Sequence, residues 1–83
     1  MSRRAWFAVT VIAAGTGVAV AAVMTWLDWR LNPAGIFRDA GGTHWSFVAE
    51  TFASWFIPVF WAAGIAALAV FALRGWLAGR GGQ

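Results

Sequence analysis

Two uninterrupted apolar runs dominate the chain. Residues 5–27 (AWFAVTVIAAGTGVAVAAVMTWL) and 51–73 (TFASWFIPVFWAAGIAALAVFAL) are each 23 residues long and contain no charged side chain. At about 1.5 Å per residue, a helix over either run is roughly 34 Å long, enough to cross a hydrocarbon layer of about 30 Å with some tilt. The expected fold is therefore all-α: an integral membrane hairpin of two transmembrane helices, with short tails at residues 1–4 and 74–83. Residues 28–50 would form an irregular 23-residue connecting loop.

Within the first run the residues sort by size. On a wheel of about 100° per residue, Thr10, Ala13, Ala14, Gly17 and Ala21 share a sector of about 100°, and Val9, Val11, Ile12, Val18 and Val23 lie outside it. Lipid gives helices little hydrophobic reason to associate, so they pair by close approach over small side chains. Ala13-x-x-x-Gly17-x-x-x-Ala21 thus marks a helix-packing face, for the second helix or for a neighbour. Plain abundance of Ala and Gly in a GC-rich genome would leave the same trace.

The second run is aromatic. Phe52, Phe56 and Phe60 recur every four residues as a contact ridge, with Trp55 and Trp61 in the same run. Such a ridge suits another protein, a carotenoid, a quinone or a lipid, and it suits plain lipid-facing bulk equally. Pro58 removes the N–H that would bond the Ser54 carbonyl and is expected to kink the helix. Glu50, Ser54 and Pro58 share one side. They read either as the start of a polar path or as an interfacial carboxylate satisfied by water, Ser54 or an arginine.

The connection carries turn signals at Asn32-Pro33-Ala34-Gly35 and Gly41-Gly42. It is expected to lie on the membrane surface or against a partner, with Thr43 or Ser46 as N-cap of the second helix. Asp28 with Arg30, and Arg38 with Asp39, read as surface charge pairs. His44, Glu50 and Ser54 form a candidate polar boundary site. Light-harvesting helices hold pigment with a histidine inside the span, whereas His44 precedes its helix, so a surface role is expected rather than ligation of haem or chlorophyll.

Charge sets an orientation. Six arginines oppose Asp28, Asp39 and Glu50 for a net +3. Arg3, Arg4, Arg74 and Arg80 flank the outer ends of the two runs, against Arg30 and Arg38 in the connection; by the positive-inside rule both termini are cytoplasmic, in a bacterial inner membrane. Trp6 and Trp76 would mark the cytoplasmic interface, and Trp26, Trp29 and Trp45 the opposite one. The basic residues form no clustered stripe, which argues against nucleic acid as a partner. Ser2-Arg3-Arg4-Ala5-Trp6-Phe7 loosely resembles a twin-arginine export motif, and Ala19-Val20-Ala21 is a permissible cleavage site. The apolar run is nonetheless longer than a signal h-region of about 7–15 residues and continues to Leu27, so a retained helix is expected. The tail from Gly79 to Gln83 is expected to be loose.

Composition limits the function classes. Charged residues are 11% of the chain, against roughly 25% in a soluble domain, and hydrophobic residues are 61%. With no cysteine and one histidine, neither a disulfide framework nor a metal cluster can be drawn. No nucleophile, acid or base converges on a pocket, so no enzyme is expected and no cofactor is required, although lipid, carotenoid or quinone could be bound. The expected role is a small accessory subunit, held by helix packing to larger integral membrane subunits of an electron-transfer or light-harvesting assembly. The alternative is a self-oligomerising pore or holin-like protein. Length and hairpin form are similar to the ring subunit of rotary ATP synthases, but the second run lacks that family's mid-membrane carboxylate. A small multidrug-type carrier would also need an embedded ionisable group, and neither run has one.

Overall fold

The computed structural model describes residues 2–81, apart from the side chains of Arg80 and Gly81. Two long helices form an antiparallel hairpin. Helix α1 spans Arg3–Leu31 and α2 spans Trp45–Gly81. Both are long and apolar enough to cross a membrane. The particle measures 67 × 19 × 13 Å.

The helices overrun the apolar stretches at both ends, so the connection is residues 32–44 rather than 28–50. Charge ends a membrane span, but it does not end a helix; backbone signals do. Ser2 starts α1 because its Oγ accepts from the Ala5 N–H at 3.1 Å, satisfying one of the orphan donors of the first turn. Asn32 stops it by adopting the left-handed conformation (φ 47°, ψ 58°), its N–H donating to the Asp28 carbonyl at 2.8 Å, and Pro33 cannot continue the helix. Helix α2 begins where the His44 carbonyl accepts from the Phe47 and Val48 N–H groups, so neither Thr43 nor Ser46 is its cap. It runs unbroken through Pro58 and past Gly79 to Gly81, so the tail is helical that far; Gly82 and Gln83 lie outside the described residues.

The connection also contains order that its composition did not announce. A 3-10 turn, η1 (Pro33–Gly35), leads to strands β1 (Arg38–Asp39) and β2 (Gly42–Thr43). They pair antiparallel, Arg38 opposite Thr43 and Asp39 opposite Gly42, with Ala40 and Gly41 between them.

The helices meet along Val9, Ala13, Gly17, Ala21 and Thr25, the buried residues of α1. Each step of four advances about 40° around the helix, so the stripe winds instead of running straight. That winding corrects the packing sector. Val9 is buried although it fell outside the sector, Ala14 is half-buried, and Thr10 is exposed with its hydroxyl donating back to the Trp6 carbonyl at 2.9 Å. At the level of Val9 and Ala13 the contact line has not yet reached the side that Thr10 occupies.

Phe56 fills the groove over Gly17. A Cβ at Gly17 would stand 2.9 Å from two ring carbons of Phe56, and one at Gly64 would stand 3.5 Å from the Ala13 Cβ. The remaining surface is largely uncovered. Among the described residues the buried hydrophobic ones are only Val9, Ala13, Ala21, Phe37 and Ala67, and the accessible surface is 6056 Å². A soluble monomer of 8.9 kDa would expose about 4,800 Å². Gly17→Leu should therefore destabilise the hairpin by about 1–3 kcal/mol, read as an earlier unfolding midpoint in mixed detergent, while Val11→Leu, at a position 52% exposed, should leave it unchanged. Phe56→Ala in the Gly17→Leu background should recover part of the loss. Equal midpoints for the two single variants would rule out this interface.

Candidate functional site

The loop end of the hairpin holds most of the side-chain hydrogen bonds among the described residues. Asn32 organises it. Its Oδ1 accepts from the N–H groups of Phe37 (2.9 Å) and Arg38 (3.1 Å), and its Nδ2 donates to the Arg38 carbonyl at 2.8 Å. One amide side chain thus supplies both a donor and an acceptor to a backbone segment that has few ladder partners of its own. Phe37 is buried beneath it, edge-on to Phe47 of α2 with ring centroids 5.0 Å apart.

Arg38 and Asp39 do not pair with each other. The Arg38 guanidinium donates to the carbonyls of Trp29 (3.2 Å) and Arg30 (3.1 Å) in the last turn of α1 and lies 5.1 Å from the Trp29 ring centroid. A cation is favourable there because the last carbonyls of a helix lack intrahelical donors and carry its negative dipole end. Arg30 stands over the Trp26 ring at 5.5 Å. The Trp29 indole N–H donates to the Thr43 hydroxyl at 3.1 Å, tying α1 to β2.

Asp39 accepts from the Gly41 N–H at 2.7 Å and faces His44 Nε2 at 2.8 Å. The Gly41 bond, then His44, hold its carboxyl below the usual 3.8. His44 Nδ1 faces the Ile36 carbonyl at 3.1 Å. Both ring nitrogens therefore face acceptors, and neither is presented to a metal. Among the described residues no three His, Asp or Glu side chains gather.

Between the helices, directly below this cap, lies a cleft of about 400 Å³ walled by Trp26, Trp29, Trp45 and Phe52, with Thr25 and Thr43 as its polar side chains. No charged residue lines it. Thr25 is 5% exposed, and its hydroxyl is shielded from solvent without a hydrogen-bond partner. Two other hydroxyls on the helices return to their own backbone, Thr10 to Trp6 and Ser54 to Thr51.

The polar boundary residues are not brought together. His44 is bonded into the loop, whereas Glu50 and Ser54 lie exposed on α2. The Ser54 hydroxyl donates to the Thr51 carbonyl at 2.7 Å and not to Glu50. Pro58 is also exposed, so this side of α2 faces away from α1 and opens no polar path between the helices. Phe52, Phe56 and Phe60 are half-buried and stack in series at 6.1 and 5.6 Å. Phe56 faces the small groove of α1, Phe52 walls the loop-end cleft, and Phe60 walls a second apolar cleft of about 300 Å³ with Trp6 and Trp61. Thr25 was missed in the sequence, although it continues the every-four series through Ala13, Gly17 and Ala21.

Comparison with protein-family models, curated proteins and solved structures finds no match. The site must be understood from its own geometry. Asn32→Gly should keep the left-handed turn but remove the three side-chain bonds, raising amide hydrogen exchange at Phe37 and Arg38 about fivefold or more, as expected for losing about 1 kcal/mol. Unchanged exchange would deny Asn32 its organising part. Asp39 has a lowered pKa, so its stabilising bonds are fully present above the ordinary carboxylate value and are lost as pH falls through the lowered one. The Gly41 amide resonance should accordingly titrate with a midpoint below 3.8, and Asp39→Asn should abolish that titration.

Proposed function

We propose that the chain is a two-span hairpin of the bacterial inner membrane that serves as a small, non-catalytic subunit of a larger membrane complex, in the class of electron-transfer or light-harvesting assemblies. The observation that carries this is the outer surface. Phe7 (71% exposed), Trp61 (62%), Ile57, Ile65, Val70 and Leu73 are all exposed. Water would not tolerate that much apolar area on so small a particle, whereas lipid and neighbouring helices would.

Packing is the mechanism in this reading. Gly15 and Ala19 of α1, and Gly75 and Gly79 of α2, are exposed, and no atom beyond the local helix backbone stands within 4 Å of a Cβ added at Gly15, Gly75 or Gly79. Small residues four apart on an uncovered face let a neighbouring helix come close. The Ala13/Gly17/Ala21 ladder, which motivated a self-assembling pore, lies against α2 of the same chain. In this reading the exposed small positions, rather than that ladder, meet a neighbouring helix.

Both termini would be cytoplasmic. The hairpin brings Arg4 and Arg74 to one open cleft of about 590 Å³ at the end opposite the loop. At the loop end, Arg38 is already committed to helix carbonyls. The orientation rests on the count of four arginines against two.

A tagged copy purified in mild detergent should bring down larger integral membrane subunits in fixed stoichiometry; repeated recovery of the hairpin alone would refute the accessory role. The chain has no cysteine, so single-cysteine variants at Ser2 and Ala40 report orientation directly. In intact spheroplasts an impermeant maleimide should label Ala40→Cys and spare Ser2→Cys. The reverse pattern would invert the topology.

A further inference from the structure

We infer that the loop-end cleft is a binding site for a lipid-soluble quinone head group. Thr25 motivates it. A hydroxyl buried without a partner loses its bonds to water and gains nothing in return, and rotation about χ1 can carry it either to the preceding turn of its own helix or to an acceptor in the cleft that Thr25 lines. A ring carbonyl seated in the cleft supplies that acceptor. Thr43 supplies a second donor, because its oxygen accepts from Trp29 while its own proton remains to be given. Two hydroxyl donors in one cleft suit a ring bearing two carbonyls.

The walls favour a neutral, flat occupant. Three indoles and Phe52 offer faces and edges for offset or edge-on contact with a planar ring. The volume, about 400 Å³, falls in the range of small-molecule sites. A phospholipid would bring a phosphate, yet no cation lines the cleft. The nearby Arg38 is bonded to the Trp29 and Arg30 carbonyls, and Arg30 stacks on Trp26. A carotenoid hydrocarbon would leave the Thr25 hydroxyl unsatisfied. The cleft opens between helices whose outer faces are apolar, which lets an isoprenoid tail continue along them.

The inference rests on the hairpin lying in a bilayer, which flotation with phosphatidylcholine vesicles tests on its own. For the site, the full chain is placed in phosphatidylcholine nanodiscs and titrated with decylubiquinone, following indole fluorescence against the linear quenching due to partition. Wild type should show a saturable component at one quinone per chain, and dodecylbenzene, which lacks carbonyls, should not compete. Thr25→Val should weaken binding roughly fivefold, the equivalent of one lost hydrogen bond, without lowering the ligand-free melting temperature. Trp45→Leu, at a ring 73% exposed and outside the helix stripe, should weaken it as well and guards against a folding defect in the first variant. Partition-only quenching of wild type would overturn the site, as would unchanged affinity in both variants. A phospholipid retained at one per chain by native mass spectrometry and not displaced by decylubiquinone would overturn the quinone as occupant. Flotation without saturable binding defeats this inference alone, whereas failure to float defeats the membrane reading beneath it.

Discussion

The close approach of the two helices over Gly17 sets the geometry of the rest. A residue with no side chain lets the Phe56 ring lie where a Cβ would be 2.9 Å from two of its carbons. Contacts between apolar atoms are worth only about 0.1–0.2 kcal/mol each, so they accumulate only where many atoms meet at close range. With few large residues buried, the hairpin relies on that proximity instead of on a core. The aromatic ridge and the small-residue groove are therefore two halves of one device, Phe56 being held in register by its stacking neighbours Phe52 and Phe60.

That pairing delivers the ends of the helices to the loop in fixed register, and the loop answers with polar bonds. The last turn of α1 has carbonyls without donors, and Arg38 reaches back to two of them. Asn32 at once ends the helix and holds the strand that carries Arg38. Trp29 joins α1 to Thr43, and Phe37 joins the loop to Phe47 of α2. Cap and helix pair consequently constrain each other through both ends of the connection.

Much of the hairpin was legible in the sequence because span length and lack of charge are local properties. The ends of the helices were not, since Asp28, Arg30 and Glu50 end an apolar run while leaving the helix free to continue. The packing face was legible in its small residues but misdrawn in shape. A straight sector admits Thr10 and excludes Val9, whereas a stripe stepping every four residues does the opposite and runs on to Thr25. The loop was least legible. Gly41-Gly42 marks a turn, but nothing local says that Asn32 bonds Phe37 and Arg38, or that Arg38 turns from Asp39 to the end of α1. Those partners are chosen by where the helices place them.

Thr10 and Thr25 show how position along the stripe decides what a hydroxyl does. Both sit in α1, where a threonine has two accessible χ1 wells, one of which returns the hydroxyl to the preceding turn. Thr10 lies off the contact line, exposed, and bonds its own helix at Trp6. Thr25 lies on the contact line and is buried without a partner, just where the stripe meets three tryptophans and the polar cap. Leaving such a group unpaired costs about 1–3 kcal/mol, a large share of what a two-helix contact over alanine and glycine can provide. A valine of the same shape would pack there without that penalty, so packing alone does not account for the hydroxyl.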